Sequence, residues 1–175
     1  MLEVWDFHLG FSKDKILSWL TEEGLEVKVE SVPPGVPVEW VILVQIPSIV
    51  KVNVAIQQPK GKVDMIVFSL GVMIGPEHRD SILKLSRKDR VVLASSIMRD
   101  LIMVCSDCAI TIQPSLEDPQ FINISKFTYT GSLTKEGLMS VLRLMANMFA
   151  LIVTDINSTL ASKGLYKRPS ESMVM

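Results

Sequence analysis

At 175 residues, 48% of them hydrophobic, and with a formal net charge of −1, the chain is long enough to bury a core of its own and has no global field to hold nucleic acid or an anionic membrane. Residues 1–10 carry Glu3 and Asp6 and lack a basic start followed by an apolar run, so no secretory signal is expected and the protein reads as cytoplasmic. Two cysteines do not make a disulfide scaffold, and the ten methionines read first as adaptable core filler, with a Met-lined groove as the alternative.

The first helix is predicted over Ser12 to Glu23, with Ser12 as N-cap, Ile16, Leu17 and Leu20 at helical spacing, and Gly24 as the stop. Leu25 to Glu30 alternates strictly, so Leu25, Val27 and Val29 should face a core. After the Pro33-Pro34-Gly35 turn come strands at Val38–Ile46 and Val50–Gln57, with Pro47-Ser48 as hairpin tip. Val63 to Met73 is nearly continuous in apolar residues and reads as a central strand. Gly75-Pro76-Glu77 opens a short helix to about Leu85, since proline is tolerated and glutamate favoured in a first turn. Ser86 caps a longer helix from Arg87 to about Cys105, with Asp89 in the capping-box position. Ala109–Gln113 and Phe121–Tyr129 are the last strands, joined by a loop at 115–119. Leu133 to about Ser162 is the final helix, and 163–175 reads as a flexible tail beyond a single domain over 1–162.

This order predicts an α+β fold: two layers, an antiparallel sheet of five or six strands, and N-terminal, central and long C-terminal helices. The run Val63 to Ile74 followed at once by Gly75-Pro76-Glu77-His78-Arg79, the basic helix at Arg87 to Arg99, the segment Phe121-Ile122-Asn123-Ile124-Ser125-Lys126 and the helix start Leu133-Thr134-Lys135-Glu136-Gly137 together resemble the type III secretion chaperone-like fold. More narrowly they resemble the uncharacterised prokaryotic family called domain of unknown function 2299, over roughly Ser12 to Leu160. The chain departs from the parent fold in having four candidate strands, not three, before the central helices. The resemblance implies a homodimer and a protein-binding role by analogy of fold; a secretion role does not carry over.

Chemistry-bearing residues are sparse. Cys105-Ser106-Asp107-Cys108 is a C-x-x-C, but it falls at a helix end, where the dipole and Asp107 both oppose a thiolate. A zinc site would need two more ligands. The expectation is two small, half-buried side chains. His78 lies beside Glu77 and Asp80, a trio suited to acid–base work but equally to an ordinary helix start. His8 reads as packing. Arg79, Lys84, Arg87, Lys88, Arg90 and Arg99 make the middle helices basic, yet no aromatic occurs from Val72 to Pro119 and Asp80, Asp89 and Asp100 dilute the charge, so a solvated face is expected and no nucleic-acid partner.

The final helix carries apolar residues over an arc of roughly 220°, where a helix on one sheet face needs about 100°. Leu138, Leu142, Met145, Phe149, Ile152 and Ile156 should meet the sheet. The flank Leu144, Met148 and Leu151 is left for the first helix or for a second subunit to cover, and is the expected partner-binding surface. Its longest uninterrupted run, about ten residues, is half of what a bilayer needs, so no membrane span is expected. The functional expectation is therefore a non-enzymatic, cytoplasmic protein-interaction module, chaperone-like and homodimeric, with a possible polypeptide client. No catalytic, metal or cofactor site is expected. The alternatives are a small enzyme or thiol-redox protein using Cys105, Cys108 or His78, and a sensor with a Met-lined apolar cavity.

Overall fold

The computed structural model describes residues 13–47 and 51–165. The chain runs α1 (Lys13–Glu22), β1 (Glu26–Glu30), β2 (Val38–Ile46), β3 (Val52–Pro59), β4 (Met65–Met73), α2 (Pro76–Leu83), α3 (Arg87–Val104), β5 (Cys108–Ser115), β6 (Asp118–Tyr129), a 3-10 turn at Thr130–Ser132 and α4 (Lys135–Ser162). The strands form one six-stranded antiparallel sheet in the order β1-β2-β3-β4-β6-β5. Four strands do precede α2, as the alternation predicts. The proposed N-cap Ser12, His8 and part of the β2–β3 hairpin tip lie outside the described residues.

The chain divides into two compact units, each assembled from two stretches of chain. The first takes the described residues up to Leu70 together with Ser125–Ala146. Its core follows from strand register. Val27 pairs with Val44 and Val29 with Ile42; Ile42 pairs with Ile56 and Val44 with Val54; Ile56 pairs with Phe68. Because side chains alternate across a strand, these pairs lie on one face. Ile42, Val44, Val54, Ile56, Ile66 and Phe68 are fully buried there, as are Ile16 and Leu20 of α1 and Leu138 and Met145 of α4. Gly24, at φ +69°, ends α1: its N–H reaches Thr21 O at 2.9 Å and Leu25 N reaches Leu20 O at 3.0 Å, satisfying carbonyls the helix leaves orphaned. Thr134 caps α4 by accepting from Gly137 N at 3.0 Å. Lys135 Nζ then pairs with Glu22 at 3.0 Å and Glu23 at 2.8 Å.

The second unit takes Gly71–Ile124 with the described residues from Asn147 onward. Gly75 is the N-cap of α2 with Pro76 in its first turn. The Ser86 hydroxyl caps α3 by accepting from Asp89 N at 3.1 Å, and it also donates to the Asp89 carboxylate at 2.8 Å. The apolar faces of α3 (Leu93, Ala94, Ile97, Leu101), β6 (Ile122, Ile124) and α4 (Met148, Ile152, Ile156, Leu160) are buried. The expected loop at 115–119 contracts to a two-residue turn, Leu116–Glu117, so β5 and β6 are both longer than predicted. The reason is tertiary: Arg90 Nε donates to Glu117 O at 2.6 Å and Arg87 pairs with the Glu117 carboxylate, holding the turn against the α3 start.

The start of the expected tail is ordered. Gly164 adopts φ +68°, Leu165 N donates to Leu160 O at 2.9 Å, and Lys163 Nζ pairs with Asp89 at 2.9 Å. Residues 163–165 are thus the ordered cap of α4; the rest of the expected tail lies outside the described residues. The cysteines also differ from expectation. Cys105 and Cys108 are joined in a disulfide, because the last turn of α3 and the first residue of β5 bring their Cα atoms to 5.4 Å, inside the range a bridge requires.

Candidate functional site

The flank of α4 singled out from sequence divides on folding. Met148 is completely buried, while Leu144 and Leu151 are half-buried. Of the expected inward residues, Leu138, Leu142, Met145, Ile152 and Ile156 are buried and Phe149 is half-buried. By length and composition α4 is apolar enough to cross a bilayer, more so than its ten-residue core run suggests. Its stripe from Leu138 to Leu160 is nevertheless occupied by the protein core.

In the first unit, the sheet face opposite the core presents the other surface of interest. Along β1 it is charged: Glu26, Lys28 and Glu30 share this face with Gln45, Leu43 and Val41, and Lys28 pairs with Glu30 at 2.7 Å. Its middle is polar and small. Gln57 Nε2 approaches Ser69 Oγ at 3.5 Å, and Ser69 Oγ lies 3.4 Å from Ser125 Oγ. Thr130 N donates to Asp64 O at 2.8 Å. These two contacts imply one antiparallel register, which sets Phe127 opposite Val67 and Tyr129 opposite Met65. Phe127 is 49% exposed and Tyr129 65%. Two adjacent same-face aromatics left in water are unusual beside a core this complete, since each large apolar side chain gains roughly 1.5–3 kcal/mol on burial. Sequence reading places this strand but does not mark the pair; the alternation of residues 121–129 carries the signal.

The second unit holds the remaining candidates. His78 is half-buried, and its Nε2 lies 2.9 Å from Asn157 Oδ1. Glu77 and Asp80 point to solvent, so the trio seen in sequence does not assemble. His78 borders a small, half-open apolar pocket of about 170 Å³ lined also by Met73, Phe149, Ile152, Val153 and Ile156. The basic residues are drawn into structure. Arg90 Nη1 donates to Leu85 O at 2.8 Å, capping carbonyls at the end of α2; Arg87 holds Glu117, and Arg99 Nε holds Asp100 at 2.7 Å. Asp155 carries the opposite electrostatics. Burial, reinforced by the Asp100 charge, raises its carboxyl above the usual range, with Arg99 partly opposing, and its Oδ2 is buried without a hydrogen bond.

At the far end of α3, Cys105 is the C-cap; its N–H donates to Leu101 O at 2.9 Å. Cys105 is buried, Cys108 half-buried and Asp107 exposed. Asp107 Oδ1 lies 3.2 Å from the Cys105 sulfur. These three are the only group of potential metal ligands that converges among the described residues, and the disulfide takes up both sulfurs.

The model of the DUF2299 family, described as an uncharacterized conserved protein, matches residues 12–156. The chain belongs to that family. Its fold is similar to that of an uncharacterized protein from Methanothermobacter thermautotrophicus, with a TM-score of 0.73 at 20% identity, covering 84% of this chain and 97% of that one. A crystal structure of YbjN from E. coli aligns with a TM-score of 0.46 at 12% identity over 87% of this chain and 92% of that one. The chain matches no curated protein. The archaeal likeness extends to the architecture and, at that identity, to nothing more.

Proposed function

We propose that this DUF2299 protein is a non-enzymatic protein-interaction module that self-associates through the outer face of its sheet. The observation that supports the reading is the exposed pair Phe127 and Tyr129 on alternate positions of β6. Aromatic residues are enriched at the centres of interfaces, where they give large rigid contact area. The surroundings suit such a role: small polar residues (Ser69, Ser125, Gln57) flank the pair, and the charges of β1 bound the face on its far side, as a polar rim does.

Sedimentation velocity over a wide concentration range tests it. The wild type should form a dimer, and the double variant Phe127→Ser/Tyr129→Ser should weaken it by tenfold or more, since loss of a central aromatic costs about 2 kcal/mol and 1.4 kcal/mol is tenfold. Unchanged far-UV circular dichroism would show that the variant is folded. A strictly monomeric wild type, or a dimer indifferent to both substitutions, would sink the proposal.

A further inference from the structure

We propose that Cys105 and Cys108 form a reversible two-electron thiol–disulfide couple, whose reduction is slowed by Asp107 and the C-terminal carbonyls of α3, and which small dithiols reduce in preference to monothiols. This couple does not depend on the interaction reading above.

The bridge is poorly placed to be a staple. It encloses only Ser106 and Asp107, and closing so short a loop removes little entropy from the unfolded chain. The neighbouring core is already assembled from fully buried side chains such as Leu101 and Ile97. What the site does possess is an asymmetric setting for thiol chemistry. Cys105 is 3% exposed, Cys108 is half-buried, and an incoming thiolate therefore meets the Cys108 sulfur first. Cys105 must then depart carrying negative charge. It departs at the negative end of an 18-residue helix that has no basic residue in its last turn, with a carboxylate oxygen 3.2 Å away. Both features oppose charge on that sulfur. A disfavoured leaving thiolate slows reduction. The physics that argues against a reactive nucleophile here therefore argues for a slowly reduced, persistent bridge.

The step balances as ordinary exchange. One sulfur of a dithiol, as thiolate, attacks Cys108 Sγ; the S–S bond breaks, and Cys105 leaves with the electron pair and takes a proton. The second dithiol sulfur then attacks its partner in the mixed disulfide, closing a cyclic disulfide and releasing Cys108, which is protonated in turn. Two electrons and two protons pass to the protein, and the dithiol is oxidised. A monothiol lacks the intramolecular second step, so its mixed disulfide falls back.

The full-length protein would be equilibrated with graded dithiothreitol mixtures and, separately, glutathione mixtures, trapped with a maleimide and weighed intact. Dithiothreitol should reduce the native protein, and glutathione should leave it largely oxidised. Asp107→Asn should speed reduction by about threefold or more, while Asp107→Glu should behave as wild type. Circular dichroism would confirm that each variant is folded. Resistance to dithiothreitol without denaturant would make the bridge an inert structural link. Ready reduction by glutathione, or an Asp107→Asn variant indistinguishable from wild type, would overturn the proposed electrostatic hold.

Discussion

Met148→Ala is the sharpest test of how the wide apolar arc of α4 is used. Met148 is fully buried, whereas its flank neighbours Leu144 and Leu151 are half-buried. Truncation removes three heavy atoms, a transfer loss of about 2 kcal/mol. The cavity left in a packed interior adds to that, giving about 3 kcal/mol in total. For a chain of this size each 1 kcal/mol lowers Tm by about 2–4 °C, so a fall of about 6–12 °C is expected. Leu144→Ala and Leu151→Ala should each cost about 1–2 kcal/mol, because part of each side chain already meets water. Urea unfolding followed by far-UV circular dichroism, at two protein concentrations tenfold apart, measures both the size and the origin of the loss. A Met148→Ala cost below about 1 kcal/mol would refute the assignment of Met148 to the core of its own chain. So would a cost that vanishes on dilution, because the cover would then come from a second copy.

Asp155→Asn should stabilise the protein, and the gain should grow with pH. Burial raises the folded carboxyl above its unfolded value, so the favourable contribution of Asp155 is present in full below the unfolded value near 3.9 and is lost as pH rises through the folded one. Urea midpoints for the variant and wild type should therefore converge near pH 4 and separate by pH 7; a constant gap would count against this origin. Gly71→Ala should cost about 1–3 kcal/mol, since an added Cβ would stand 2.8 Å from Phe121 Cζ and 3.0 Å from its Cε2, and an overpacked site must displace the ring. Thermal unfolding checks it, and an unchanged Tm would show that Phe121 swings aside freely.

The elements of this fold were legible because each is written in local chemistry. Period-2 alternation located β1 and β3, Ser86 with Asp89 marked the start of α3, and Gly24 marked the end of α1. The arc of α4 correctly announced more apolar surface than one sheet face requires. Its outcome was not legible, because whether Met148 or Leu144 is covered depends on which neighbour reaches it, and helical periodicity knows nothing of neighbours. The same holds for His78: sequence proximity suggested Glu77 and Asp80 as partners, and the fold supplied Asn157, 79 positions away.

By itself, the sequence determined the order and type of the elements and the helix end at Cys105, since propensity, alternation and capping act within a few residues of each other. Only the tertiary structure decided two further features. Strand register gathered the exposed Phe127 and Tyr129 beside buried Val67 and half-buried Met65 on the outer face of the sheet. Long-range packing placed Asp155 beside Asp100 and Arg99. Each depends on contacts between groups whose distance in space the chain's local chemistry does not encode.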